Sequence, residues 1–421
     1  MVASSALGRT LLSASRCHPT RGVSILPRVY SSAARQLADM DASRLTITKS
    51  TTPKPLVAPQ DLVFGKTFTD HMLSVEWTAT DGWLDPKITP YQNLSLDPAT
   101  CVFHYAFECF EGMKAYKDSK GQIRLFRPEK NMARLSASSQ RLSMPAIPEK
   151  PMIQLISKFL NVDERFIPSE KGYSLYLRPT VIGTQRSIGV GPPGSALLFV
   201  IASPVGPYYP SGFKAVSLEA RSDIVRAWPG GVGDKKLGAN YASCIAPQLE
   251  AAKKGFQQNL WLFGPEGYVT EVGTMNVFFA WLSRTGKKEF ITAPLDGTIL
   301  EGITRDSVLE LARENLGPEG WDVIERKYTI AEVKEAADEG RLLEAFGSGT
   351  AAVVSPIKRI QWDGGMERRA LGEKGAVEIN VPLSPGSETG PIAQRMWNWI
   401  LERQYGEIES KWSVIVPREN L

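Results

Sequence analysis

Hydrophobic positions along the chain fall into two kinds of run. Some are short and unbroken, such as "MLSVEW" (72–77), "QIRLFRP" (122–128), "YSLYLRPTVIG" (173–183) and "ALLFVIASPV" (196–205). Such runs, rich in branched and aromatic residues, predict strands. In "EKNMARLSASSQRL" (129–142) and "PMIQLISKFLNVD" (151–163) the apolar residues recur three or four apart, which predicts helices with one buried face. Pro, Gly and Ser then gather at "GPYYPSG" (206–212), the composition of a linker. Beyond it "KAVSLEA", "NLWLFG", "MNVFFAWL" and "EFITAPL" predict strands. "YASCIAPQLEAAKKG", closed by Gly255, "GITRDSVLELAREN", "TIAEVKEAADEG" and "GPIAQRMWNWILERQYG" predict helices.

The order of these elements is not a clean βαβ series, and no repeat is present, so the expected class is α+β or mixed α/β. Because single cores stop growing at roughly 250–300 residues, 421 residues suggest two domains. The expected division is residues 1–35 as a leader, 36–205 as a smaller N-terminal domain, 206–215 as a linker and 216–421 as a larger domain.

Charge alters the picture at one end only. Residues 1–35 carry five arginines and seven serines with no lysine and no acid, the first carboxylate being Asp39. That bias marks a mitochondrial transit peptide, and the segment lacks the unbroken apolar stretch of an export signal. "RVYS" (28–31) resembles a matrix-protease site, so the expected location is the mitochondrial matrix. Without the leader, 44 basic residues face 45 acidic ones, and no basic surface for nucleic acid remains. The longest apolar run is about half of the roughly 20 residues needed to cross a bilayer, so no membrane span is expected.

The cysteines, Cys17, Cys101, Cys109 and Cys244, show no CxxC spacing, and the three histidines are His18, His71 and His104. Neither a metal site nor a histidine-based nucleophile has enough to draw on, so no metal is expected. Attention moves to "GGVGDKKLGANYA" (230–242), where two lysines and a tyrosine sit in a glycine-rich turn before a helix. A P-loop would need Ser or Thr after its lysine, and Lys236 is followed by Leu237. A partly desolvated lysine can instead attach to a carbonyl cofactor such as pyridoxal phosphate. That chemistry requires an acid for the pyridine nitrogen, a hydroxyl for the ring oxygen, and an arginine with helix-start N–H groups for the phosphate. "TEVGTMN" (270–276) offers Glu271, "EGITRDS" (301–307) opens a helix and contains Arg305, and "FGSGTAAV" (346–353) reads as a small-residue turn suited to an anion.

Together "VFGKTFTDHM", "HYAFECFEGMKAY", "LFRPEKNMARL", "YLRPTVIG", "RAWPGGVGDKKLGANY", "TEVGTMNVF", "ILEGITRDS" and "FGSGTA" resemble the branched-chain amino-acid aminotransferases, in order from about residue 60 to the C-terminus. The resemblance implies a two-domain enzyme of the D-amino-acid aminotransferase-like class, fold type IV, dependent on pyridoxal 5'-phosphate and homodimeric. It implies that Lys236 binds the cofactor and shuttles the proton, with Lys235 a bystander. Tyr241 matches the ring-oxygen tyrosine and Glu271 the pyridine-nitrogen acid. Arg134, Ile303, Thr304 and Thr350 match the phosphate ligands. Phe64, Tyr105, Phe110, Tyr176 and Val190 match the apolar substrate pocket, Arg178 the receiver of glutamate's second carboxylate, and Thr274 and Ala351 the α-carboxylate site. Where mammalian mitochondrial members carry a CxxC pair, this chain has Ala352 and Ser355, so a thiol switch of that type is not implied.

The function so implied is transfer of an amino group between leucine, isoleucine or valine and 2-oxoglutarate, giving branched-chain oxo acids and glutamate. An aminodeoxychorismate lyase or a D-amino-acid aminotransferase would share Lys236 and Glu271, but "FECFEGMKAY" and "YLRPTVIG" favour the branched-chain enzymes. A silent binding protein on the same scaffold would not require an intact Lys236.

Overall fold

The computed structural model describes residues 37–207, 213–364 and 376–419, so the leader lies outside the described residues. Two sheets organise the chain. In the first, strands run in the order Thr46–Ile47, Lys87–Pro90, His71–Thr78, Ser195–Val205, Ser174–Gly183, Met113–Lys117, Ile123–Phe126 and Ser413–Ile415. Gly82–Trp83 and Glu108–Phe110 pair at its side. Apart from the parallel pair at its Thr46 edge, neighbours are antiparallel, as hairpin-linked strands require. Helices Pro128–Arg141 and Glu149–Val162 cover one face, burying Met132, Leu135, Leu155 and Phe159 against Leu73, Leu175, Leu177 and Leu198. The alternation of Leu175 and Leu177 leaves Tyr176 and Arg178 on the opposite face of Ser174–Gly183.

The second sheet runs Tyr268–Val272, Gln258–Phe263, Val216–Arg221, Val353–Trp362, Leu342–Gly349, Met275–Leu282, Lys288–Thr292 and Trp321–Glu325. Tyr268–Val272 also pairs with Met275–Leu282, so six of these strands close into a ring, with Val377–Asn380 added outside it. The run "MNVFFAWL" is apolar throughout because both its faces are covered. Val277, Phe279 and Trp281 join one cluster with Leu218, Leu260 and Val333. Phe278 and Ala280 join another under helices Ile303–Leu311 and Pro391–Gln404.

Two local expectations are corrected. The helix expected over 241–255 begins earlier, at Gly238, and breaks at Ser243–Cys244 into Gly238–Ala242 and Ile245–Lys253; Gly255 closes it at φ +88° as expected. "FGSGTAAV" is not all turn: Phe346–Gly349 completes a strand held between two neighbours, and the turn is confined to residues 350–352. Small residues suit a crowded strand as well as a loop. The nearest Met275 atoms lie 3.0 and 3.1 Å from where a Cβ on Gly347 and on Gly349 would stand, and a Val272 methyl lies 2.8 Å from the one on Gly347. Among the described residues no helix is long and apolar enough to cross a membrane.

Candidate active site

The glycine-rich turn is fastened from three directions. The Lys236 N–H donates to Ser138 Oγ at 2.9 Å, and its carbonyl accepts from the Phe110 N–H at 3.0 Å. Asn240 Nδ2 donates to the Val232 and Lys235 carbonyls at 2.8 and 2.9 Å, closing the loop on itself. A Cβ at Gly233 would stand 2.4 Å from that of Ala227, so only glycine lets these segments meet. Gly238 presses on Glu108, whose carboxylate accepts the Gly238 N–H. Lys236 is thus aimed by backbone contacts from elements distant in sequence.

Its side chain is half-buried. Nζ donates to the Tyr241 hydroxyl at 2.8 Å and lies 5.0 Å from the Phe110 ring centroid. Among the described residues no carboxylate pairs with it, whereas Lys235 pairs with Asp234. Burial, reinforced by the Arg134 charge, brings the Lys236 ammonium down to about 8. Burial pushes the Tyr241 phenol up to about 12, with the Glu271 charge adding to it, so it stays protonated at neutral pH.

From Lys236 a continuous path of contacts runs through most of the expected substrate residues. Phe110 tilts against Tyr241 at 4.9 Å, the Arg178 guanidinium lies 4.6 Å from the Phe110 ring and 5.3 Å from the Tyr176 ring, and Phe64 meets Tyr176 edge-on at 4.9 Å. Arg178 donates to the Tyr176 hydroxyl at 3.2 Å, while its buried Nε makes no hydrogen bond. A half-buried guanidinium held by aromatic faces and one phenol keeps donors free for an anion.

Glu271 lies on Tyr268–Val272, opposite Asn276 across the hairpin. Its Oε1 accepts from Asn276 Nδ2 and from the Leu300 N–H, both at 3.0 Å. Arg226 NH1 stands 2.7 Å from Oε2, a charge contact without hydrogen-bond alignment, so Oε2 remains a buried acceptor with room for a donor. Burial pushes this carboxyl up and Arg226 pulls it back down.

Arg134 extends from helix Pro128–Arg141 and is gripped by Glu111, Nε to Oε1 at 2.7 Å and NH2 to Oε2 at 2.9 Å; its NH1 donates to the Glu301 carbonyl at 2.9 Å. Glu111 is fully buried and also accepts from Asn131 Nδ2 at 2.7 Å. Arg134, Glu301 and Ile303 line a cavity of about 350 Å³. There helix Ile303–Leu311, which holds Thr304, begins after Gly302 with no side-chain cap on its first N–H groups. A free helix start beside an arginine makes a cup for an anion.

The remaining expected residues are placed as follows. Thr350 and Ala351 form the half-buried turn after Leu342–Gly349, and Lys114 Nζ donates to the Ala351 carbonyl at 2.8 Å. Thr274 is exposed at the hairpin tip beyond Glu271. Tyr105 and Val190 stand apart from the aromatic path: the Tyr105 hydroxyl donates to the Ile188 carbonyl, and Val190 is 81% exposed. Sequence reasoning missed Arg226, Glu111, Asn276 and Ser138 as individual residues. All four support a side chain or turn expected in the site, and the first three lie inside or beside its motifs; only their pairing in space gives them a role.

Comparison with known proteins was made against this geometry. The family model of amino-transferase class IV matches residues 108–360. The mitochondrial branched-chain-amino-acid aminotransferase of Saccharomyces cerevisiae is 57% identical over 385 residues, 91% of this chain and 95% of the relative. The cytosolic one of the same yeast is also 57% identical, over 91% of this chain and 100% of the relative. The cytosolic enzyme of Mus musculus is 44% identical over 89% and 93%. Among solved structures, the branched-chain amino acid aminotransferase of Escherichia coli superposes with a TM-score of 0.62 at 24% identity, covering 82% of this chain and 99% of that one, a likeness of fold.

Proposed function

The chain belongs to the class IV aminotransferases and, among them, to the branched-chain-amino-acid aminotransferases, and from that premise we propose that it moves an amino group between branched-chain L-amino acids and 2-oxoglutarate with pyridoxal 5'-phosphate, Lys236 being the reactive amine. The observation that carries this reading is the Lys236 amine itself: half-buried, unpaired with any carboxylate among the described residues, brought down to about 8, and held by Tyr241. The surrounding residues fit the cofactor, since Glu271 Oε2 is a buried oxygen beside the Arg226 charge that accepts no aligned hydrogen bond, and the Ile303 helix start is uncapped beside Arg134.

When bound, the cofactor supplies an aldehyde that links to amines and a pyridine ring that takes up the electrons left when a Cα proton departs. Lys236 would hold the aldehyde and, once free as an amine, would serve as the base that takes the proton from the substrate Cα. A side chain brought to about 8 has an appreciable neutral fraction near neutral pH, which both tasks need. Tyr241 orients the Nζ lone pair from 2.8 Å. Glu271, kept anionic by Arg226 and by two N–H donors, holds the proton on the ring nitrogen. Arg134, steadied by Glu111, with the Ile303 and Thr304 N–H groups and Thr350, takes the phosphate.

Phe64, Phe110 and Tyr176 give an alkyl side chain its apolar wall, and the free donors of Arg178 receive the second carboxylate of glutamate. The Thr274 and Ala351 turns take the α-carboxylate. Tyr105 and Val190 belong to the pocket only if a second copy presents them. Their surroundings support a homodimer, because Phe103, Ile188 and Val190 are 60%, 71% and 81% exposed and form an apolar surface. The proposed location is the mitochondrial matrix, resting on the leader's composition; the two yeast relatives, equal in identity, are named for different compartments.

The test is borohydride reduction of the holoenzyme followed by peptide mapping, with activity measured for Lys236→Ala and Lys235→Ala. The pyridoxyl label is expected on Lys236, with transamination lost in the first variant and largely kept in the second. A label on Lys235 would overturn the assignment.

A further inference from the structure

We propose that a cavity of about 470 Å³ bordered by Ala351 and Ala352 is a second small-molecule site, and that it takes a free α-amino acid with an apolar side chain. It lies on the same face of the first sheet as Tyr176, because Lys114 in its wall pairs directly with Tyr176 across neighbouring strands. Its other wall is helix Pro391–Gln404.

Three features of the lining select the ligand. Lys114 is 91% buried, and its Nζ has the Ala351 carbonyl at 2.8 Å but no carboxylate among the described residues. A buried ammonium with one partner for three donors calls for an anion. Gln404 is 94% buried, and its Oε1 accepts no hydrogen bond, which calls for a donor; the Glu388 carboxylate lines the same space. Between these polar groups stand two aromatic pairs, Phe213 against Trp397 at 5.4 Å and Tyr116 against Tyr405 at 5.1 Å. A fatty acid would leave Gln404 without a donor, and inorganic phosphate would leave the rings without contact. An apolar α-amino acid fits all three demands, its carboxylate on Lys114, its ammonium on Gln404 and Glu388, its alkyl group between the rings. The volume is within the range of small-molecule sites, roughly 300–1,000 Å³.

Occupancy reaches the neighbouring site through Ala351. A ligand carboxylate on the spare donors of Lys114 draws Nζ toward the cavity and with it the Ala351 carbonyl it holds. The turn leads directly into a strained residue, since Val353, β-branched and the first of its strand, is held at φ +63°. Binding itself does not depend on the role proposed for Ala351; its effect on catalysis does. Burial brings the Lys114 ammonium down to about 8, so binding weakens as pH rises above that point.

The experiment uses the holoenzyme in its pyridoxamine-phosphate form, which cannot pass an amino group to another amino acid, and measures labelled L-leucine by equilibrium dialysis. A single leucine per chain is expected, with affinity falling roughly tenfold or more in Gln404→Leu and in Lys114→Met. Gln404→Leu should keep the wild-type kcat, which shows that it folds, and Phe110→Ala, which removes part of the alkyl wall of the substrate pocket and none of this cavity's lining, should leave this binding unchanged. No bound leucine, binding indifferent to Gln404→Leu, or binding lost in Phe110→Ala would each overturn the proposal, the last by assigning the leucine to the substrate pocket.

Discussion

Replacing Arg226 by methionine removes the cation beside Glu271 without reducing the bulk around it. Both side chains are almost wholly buried, at 5% and 3% exposure, with NH1 and Oε2 2.7 Å apart. At an effective dielectric of about 20, unit charges some 4 Å apart attract by about 4 kcal/mol, and stripping one partner from a buried pair costs about 3–5 kcal/mol. The two figures agree, so a loss of about 4 kcal/mol at pH 8 is expected on the cofactor-free chain, where Arg226 is the strongest of the charges lowering the Glu271 carboxyl and Lys236 and Arg134 add less. Its pH dependence identifies the cause. Burial already holds the folded-state value of Glu271 above 4.5, and loss of Arg226 raises it further. The unfolded value is common to both, so the variant loses stability relative to the wild type as pH rises past the wild type's own folded-state value, which lies above 4.5, at up to about 1.4 kcal/mol per pH unit. Urea unfolding of wild type and Arg226→Met at pH 5, 6, 7 and 8 should show a gap that widens with pH. Adding Glu271→Gln to the variant should flatten it, because an amide does not ionise. A gap of constant size, or one that the second substitution leaves unchanged, would refute the reasoning and make Arg226 a packing residue.

Arg178→Met should raise KM for glutamate and 2-oxoglutarate by roughly tenfold or more while altering that for leucine much less, if the charged contact contributes about 1.5–3 kcal/mol; half-reaction kinetics with each amino acid measure it, and equal losses would reassign Arg178 to structure. Glu344 receives the Ile392 and Ala393 N–H groups at 2.8 and 2.7 Å, and burial pushes its carboxyl up to about 7. Its folded value lies above the ordinary 4.5, so stability is lost as pH rises through that window, and Glu344→Gln should remove about 1.4 kcal/mol per pH unit of that slope in urea unfolding.

The predictions about Arg226 and Glu344 rest on contacts that no linear pattern announces, and the same holds for what the sequence left unread. Strands such as Ser174–Gly183 and Ser195–Val205 are visible because both carry long apolar runs whose burial depends little on which neighbour covers them. "FGSGTAAV" misleads because small residues serve a turn and a crowded strand alike, and what decides is Met275 pressing on Gly347 and Gly349 from a strand some seventy residues earlier. The motif residues of the site fall into place in the same way. Lys236, Tyr241, Phe110, Tyr176, Arg178 and Phe64 form one path of contacts, yet the path depends on Ser138, a serine in an ordinary helix, fixing the Lys236 N–H. Local sequence determines which side chains can do chemistry. Residues such as Arg226, Glu111 and Ser138 determine whether those side chains are charged and aimed, and that information exists only once the strands are paired. Tyr105 and Val190 extend the argument one level further, because the family resemblance implies a place for them in the pocket while one chain leaves them 39% and 81% exposed, and the homodimer proposed above would complete them.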